Sequence, residues 1–326
     1  MGRRAIRRNF RPHGYLGVKM LFVDAVEGYW LERRRDLSRH TIDDYGRTFG
    51  RFDAFLGEDR ELDSITADDV RAFLNALSDD GLAAKTVANA WIALSALWTW
   101  AEGELGAEHV IRNRVKRPRW RRPQIEPYSM DDVRRMLNEC DVGPTWRTRS
   151  GRRAQSRRRT ALRDRALIIV LVDTGIRAQE LCDLVVDDYS RQSGQLLIRH
   201  GKGDKQRMVF VGDAGQRALW RYMLTRKEAG AQEPLFPTRT GTHLMRDNLR
   251  RLIQTIAKRA DVQRATVHRF RHTFAVNFLR NGGNVLALQS LLGHEQMETI
   301  RLYVRLADVD LEVSQQRASP ADHWRL

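Results

Sequence analysis

The chain has 326 residues, 42% of them apolar, and carries 57 Lys and Arg against 41 Asp and Glu, a net charge of +16. That is room for two ordinary domains with normal cores, which excludes a low-complexity or fibrous chain. No apolar run approaches the ~20 residues that span a bilayer, and the basic start MGRRAIRRNFRPHG lacks the apolar stretch of a secretory leader. A soluble, cytoplasmic protein is expected.

The positive excess points to a polyanion, because Lys and Arg on phosphates release counterions. A membrane surface fits less well, since the basic residues are spread along the chain and not gathered on one amphipathic helix. Cys140 and Cys182 are the only cysteines. They form no CxxC pair and have no His at ligand spacing, so a disulfide framework and a cysteine-rich zinc site are not expected.

A helical period starts near Lys19, with Leu21, Phe22, Ala25, Val26 and Tyr29 on one face. Ser38 caps a second helix carrying Ile42, Tyr45, Phe49, Phe52 and Phe55, which Gly57 stops. A third helix follows Thr66, with Val70, Phe73, Leu74 and Leu77 inward, and ends at Gly81. A fourth runs from about Ala83 to Gly103 with Val87, Trp91, Leu94, Leu97 and Trp98 inward. Residues 17–106 therefore read as an all-α bundle, whose aromatic stripe keeps helical spacing and belongs in its core. Arg39, Lys85, Thr86 and Asn89 lie near helix starts, where free N–H groups suit phosphate contacts.

Residues 107–127 read as a basic linker, rich in Pro and Arg and without period. Its Lys116, Arg117 and Arg119 are further candidates for DNA contact. Ser129 caps the next helix, through about Glu139. Nine arginines then crowd Arg147–Arg165 in what reads as a flexible basic loop leading into a helix from Ala161 to Val172.

Asp173-Thr174-Gly175-Ile176-Arg177-Ala178-Gln179-Glu180-Leu181 is the first chemical motif. Thr-Gly turns the chain, and Arg177 heads a new helix one turn before Glu180. The plain reading is a surface ion pair of little worth. The functional reading is a guanidinium held by Glu180 and aimed at a phosphate. Gln195–Arg199 and Gln206–Val211 read as two strands around Gly201-Lys202-Gly203-Asp204-Lys205, a hairpin with two lysines at its tip. Amphipathic Asp213–Ala229 and a helix over His243–Ala260 follow.

Thr266 caps a helix holding His268, Arg271 and His272. The i, i+4 histidines resemble zinc spacing, but Arg269 stands between them and repels a cation, so no metal is expected. His268 and Arg271, at i and i+3, share a face and can grip one phosphate. Asn281-Gly282-Gly283 ends that helix, a short apolar helix runs over Asn284–Leu292, Gly293 caps it, and His294 follows. Tyr303 lies on the next helical segment, and the residues after Ala307 form one more helix.

TGIRAQEL (174–181), GKGDKQR (201–207), HRFRHTFA (268–275) and LGHEQMETIRLY (292–303) together resemble the tyrosine recombinase, or phage integrase, family, most closely its two-domain Xer-like members. The resemblance covers nearly the whole chain. His294 and Tyr303 stand nine positions apart, as in the family. Arg305 stands where a His is frequent, and the Arg147–Arg165 segment looks like an insertion relative to compact Xer proteins. The resemblance implies a mainly α fold: a SAM-like helical bundle over 17–106, the linker, and over 128–318 an α-rich catalytic domain with a small antiparallel β-sheet.

Cutting a phosphodiester with a phenol needs in-line attack, support for the equatorial oxygens and a proton for the leaving alkoxide. Tyr303 is the candidate nucleophile. Arg177 and Arg271 fork onto the non-bridging oxygens, so that fixed charge does the work of a metal and no cofactor is expected. His268 is placed to relay the tyrosine's proton, and His294 to hydrogen-bond the phosphate. Lys202 protonates the departing 5′-oxygen, as the family implies, with Lys205 its competitor, and Glu180 orients Arg177. The resemblance further implies a tetramer on two double-stranded recombination sites, of one chain or shared with a paralogue, with the C-terminal helix docked on a neighbour. A type IB topoisomerase shares the chemistry. A non-catalytic DNA-binding relative shares the folds but has no need of Tyr303.

Overall fold

The computed structural model of the chain describes residues 19–57, 59–121, 126–147, 150, 153–199, 206–293, 297–307, 319, 321 and 324, without the side chains of 144–147, 153–157 and 297–299. The chain divides into two compact units, Met1–Pro123 and Gln124–Leu326. Both are mainly helical.

The first unit is built from α1 (Phe22–Arg33), α2 (Arg39–Leu56), α3 (Ala67–Asp79) and α4 (Ala84–Glu104). Its helix starts are those the sequence marks. Ser38 Oγ accepts the Thr41 N–H at 3.1 Å, and Thr66 with Asp69 closes a reciprocal cap. Gly57 and Gly81 take the positive φ that ends α2 and reverses the chain after α3. The aromatic stripe lies inside. Phe22, Phe52, Phe73 and Trp98 are buried, and Phe52 meets Phe73 edge-on at 4.9 Å and Phe22 at 5.3 Å.

One stretch differs from its composition. Val110, Ile111 and Val115, within the expected linker, are buried in this core. Trp91 Nε1 donates to the Val115 carbonyl at 3.0 Å, and His109 Nδ1 accepts the N–H groups of Ile111 and Arg112. Three apolar side chains among arginines and prolines suffice to fasten the segment, although no period betrays them.

The second unit contains α5 (Met130–Asp141), β1 (Val142–Arg147), β2 (Arg153–Arg157), α6 (Ala161–Thr174), α7 (Ala178–Asp183), β3 (Gln195–Ile198), β4 (Arg207–Phe210), α8 (Asp213–Met223), α9 (Arg246–Arg259), α10 (Val267–Arg280), α11 (Val285–Leu292) and α12 (Met297–Ala307). The central helix is α6, with Ala166, Leu167, Ile168, Val170 and Leu171 buried, and it packs against α5, α8 and α10. Tyr128 fastens the start of α5 to the start of α10: its hydroxyl donates to the Thr266 carbonyl at 3.0 Å and accepts the Thr266 N–H at 2.9 Å. The Arg269 guanidinium lies 4.2 Å over its ring.

β3 and β4 pair antiparallel, with Gln195 opposite Phe210 and Ile198 opposite Arg207, as the hairpin reading requires. The expected flexible loop is the main departure. Its first part is a second antiparallel hairpin, β1 with β2, in which Trp146 faces Ala154 and Arg147 faces Arg153. Neither strand alternates apolar with polar, so backbone pairing is not announced by side chains. The Ser150-Gly151 turn dipeptide was the available signal. The amphipathic run after Asp213 is helical only to Met223, then tightens into a 3₁₀ turn over Leu224–Arg226. The helix expected from His243 starts at Arg246, because His243 is bridged to Pro237. Among the described residues, no helix is long and apolar enough to cross a membrane.

Candidate active site

The turn between α6 and α7 sets the first arginine. Gly175 takes the left-handed conformation, φ +61, and its N–H returns to the Leu171 carbonyl. A Cβ here would stand 2.5 Å from the Phe274 ring. Gly175→Ala therefore combines backbone strain with a clash, and an expected loss of roughly 2–4 kcal/mol is checked by urea unfolding. Arg177 then caps α7. Its backbone N–H donates to Glu180 Oε2 at 2.7 Å and its Nη1 to Glu180 Oε1 at 2.7 Å. The i, i+3 pair is thus the buried form, not the surface one, with the Glu180 side chain 3% exposed.

A second guanidinium grips the same carboxylate. Arg207, the first residue of β4, donates Nη1 and Nη2 to the two Glu180 oxygens at 2.9 and 2.7 Å. The strand pattern of GKGDKQR concealed this role, because a residue opening a half-exposed strand reads as solvated. Burial pushes the Glu180 carboxyl up, but Arg207 and then Arg177 outweigh it and hold it at about 2.

The third guanidinium is Arg271 on α10, 1% exposed. It donates to the carbonyls of Gly175 at 2.9 Å and Leu292 at 2.6 Å. The end of α11 now shows its purpose. Three consecutive carbonyls there each accept from a different arginine: Leu291 from Arg207 at 2.8 Å, Leu292 from Arg271, and Gly293 from Arg177 at 3.1 Å. These are the acceptors a helix leaves unpaired at its C-terminus, where its dipole is negative. Gly293, at φ +62, gives the left-handed cap that turns them outward.

Among the described residues, three guanidiniums around one carboxylate leave two positive charges over in a largely buried site. Burial and the neighbouring Arg177 charge bring Arg271 down to about 10, still protonated at neutral pH. Among the described residues, the bonds found use two side-chain donors each of Arg177 and Arg271, out of five. Such a cluster demands an anion, and the remaining forked donors suit a tetrahedral oxyanion.

Tyr303 on α12 lies beside these charges, 1% exposed. Burial raises its phenol above the ordinary 10, while Arg271 and Arg177 pull it down. Its hydroxyl lies 2.8 Å from Nδ1 of His272. The His272 ring meets the His268 ring edge-on, centroids 4.3 Å apart. The sequence reading assigned the tyrosine's proton to His268 and noted His272 only for its spacing. Helix phase puts both on one side of α10.

The structure thus gathers Arg177, Glu180, Arg271, His268 and Tyr303 from three separate stretches. Lys202, Lys205 and His294 lie outside the described residues. Thr86 and Asn89 line a groove of about 510 Å³ in the first unit together with Thr41, Arg47 and Arg51. Lys85 Nζ lies 5.2 Å over the Trp120 ring. Arg39, Lys116, Arg117 and Arg119 are exposed.

The chain is similar to known proteins along most of its length. The phage integrase family matches residues 131–309, more than half of the chain, and the phage integrase N-terminal SAM-like domain matches residues 26–104. The tyrosine recombinase XerC of Pelobacter propionicus is 31% identical over 85% of this chain and 88% of its own length. The tyrosine recombinase XerC of Mycobacterium sp. (strain JLS) is 30% identical over 91% and 98%. The Tn1549 transposon integrase, solved in complex with a circular intermediate DNA, shares the fold at a TM-score of 0.71, with 16% identity over 92% of this chain and all of that one. With both domains matched and such relatives along most of its length, the chain belongs to the phage integrase family, as a site-specific DNA recombinase of the tyrosine type.

Proposed function

We propose that the chain breaks and rejoins duplex DNA by transferring a phosphodiester to Tyr303 and back. The phenolic oxygen attacks phosphorus, the P–O5′ bond breaks, and the product is a 3′-phosphotyrosyl link with a free 5′-hydroxyl. Arg177 and Arg271 neutralise the non-bridging oxygens, held there by Glu180 and the α11 carbonyls. Lys202, or Lys205 in its place, gives the leaving 5′-oxygen its proton, and His294 hydrogen-bonds the phosphate. The bond energy is kept in the phosphotyrosine, so another strand's 5′-hydroxyl reverses the step. The observation that carries this reading is the excess of two positive charges in a buried cluster beside a tyrosine hydroxyl.

In this reading the first unit grips the duplex through Arg39, Lys85, Thr86 and Asn89, and Lys116, Arg117 and Arg119 follow the phosphate backbone. Four chains, identical or shared with a paralogue, act on two recombination sites in the cytoplasm. Support comes from the family, whose Tn1549 member is solved on a DNA intermediate. The test is a nicked suicide duplex, from DNA flanking the gene, incubated with the protein in EDTA. An SDS-stable protein–DNA adduct is expected. Relaxation of plasmids lacking any specific site would point instead to a topoisomerase.

A further inference from the structure

We infer that His272 is the general base of strand cleavage, taking the Tyr303 proton at Nδ1 while the phenolic oxygen closes on phosphorus. The inference rests on Tyr303 being the nucleophile, and it changes which histidine serves it.

Geometry carries it. The Nδ1···hydroxyl separation is 2.8 Å, within direct transfer distance. Tyr303 and His272 come from helices packed together, α12 on α10, and Tyr303 is 1% exposed, so bulk water does not compete freely for its proton. Among the described residues, His268 and Arg271 both favour a neutral ring at His272. His268 packs on it from one turn earlier on α10, and Arg271 is its chain neighbour. Arg177, at the head of α7, acts on Tyr303 from across the site. Burial, then His268 and Arg271, lower its imidazole from 6.5 to about 4. A neutral ring with its proton on Nε2 presents Nδ1 as an acceptor, and the phenol must then donate.

The depressed basicity also fixes the timing. An imidazole whose conjugate acid ionises near 4 does not strip a phenol above 10 in the resting site. The proton moves only as the O–P bond forms and the phenolic oxygen becomes acidic. His272 is left as imidazolium, the P–O5′ bond breaks, and the 5′-oxygen gains a proton from the general acid. In the return step His272 gives its proton back to the leaving phenolate. The site therefore keeps Tyr303 protonated until a phosphate is seated.

The test is the rate of adduct formation on the suicide duplex across pH 5 to 9, for wild type, His272→Asn and His268→Asn. Asn keeps a hydrogen-bond acceptor near the Nδ1 position but takes no proton. His272→Asn is expected to retain DNA affinity, lose about 10²- to 10⁴-fold in rate, and rise with pH as hydroxide replaces the missing base. Installing a fluorinated, more acidic tyrosine at position 303 should restore part of that rate. Equal loss at every pH, a wild-type rate, or the hydroxide-dependent profile in His268→Asn instead would overturn the assignment. His272→Gln, measured in parallel, serves if His272→Asn no longer binds DNA. An adduct that survives in Tyr303→Phe defeats the underlying reading of the nucleophile, and is a separate failure.

Discussion

Tyr303→Phe is expected to bind DNA as wild type does and to form no covalent adduct. The substitution removes one oxygen from a side chain that is 1% exposed and leaves the ring to fill its place in the α10–α12 core. The loss to stability includes the hydrogen bond to His272, worth about 1 kcal/mol. What is lost to chemistry is the nucleophile itself. Arg177 and Arg271 remain and continue to hold the phosphate, but water is not positioned in line in its stead. Cleavage on the suicide duplex should fall by more than about 10⁴-fold, while gel-shift affinity changes less than twofold. A DNA-binding relative without chemistry would show no change in either assay.

Glu180→Ala has the largest expected effect on the fold. Two guanidiniums share that buried carboxylate, and deleting it leaves Arg207, 11% exposed, and the partly exposed Arg177 without their counter-charge. Removing one partner from such a set costs about 3–5 kcal/mol. Arg177 also loses the bond that aims it, so that even folded protein should cleave about a hundredfold more slowly. Glu180→Gln keeps the shape and one acceptor oxygen but turns the other into a donor facing the same arginines, and should lie between. The pH dependence has a definite sign. The folded carboxyl ionises at about 2 instead of 4.5, so its contribution, roughly 3 kcal/mol, is complete above pH 4.5. It is lost as pH falls from 4.5 to 2. Acid unfolding of wild type should steepen in that window, and Glu180→Ala should lose that part of the slope.

Much of this was legible in the chain. Thr266, the helical period after it and Asn281-Gly282 bracket α10, and two of its polar residues reach the site from one face. The Thr174-Gly175 break placed Arg177 at a helix start, and Glu180 one turn on. Local signals of this kind survive because caps and left-handed turns are satisfied within a few residues. The site residues that escaped are those whose partners are distant in sequence. Arg207 is set by Glu180, 27 positions away, and by Leu291, 84 away. His272 is set by Tyr303, 31 away. Ile111 and Val115 were hidden among prolines and arginines, and the β1–β2 hairpin by strands with no alternation. Composition reports a segment's average, whereas three buried side chains or four backbone pairings decide its structure.

The run Leu291-Leu292-Gly293 holds Arg207, Arg271 and Arg177 by successive carbonyls. Peptide units joined in sequence do not move independently. A shift of this run changes all three bonds together, and Tyr303 follows ten residues on in the sequence. The three guanidiniums therefore hang on one short run of peptide units. A substitution that displaces this run disturbs Arg177, Arg207 and Arg271 as a set and not one at a time.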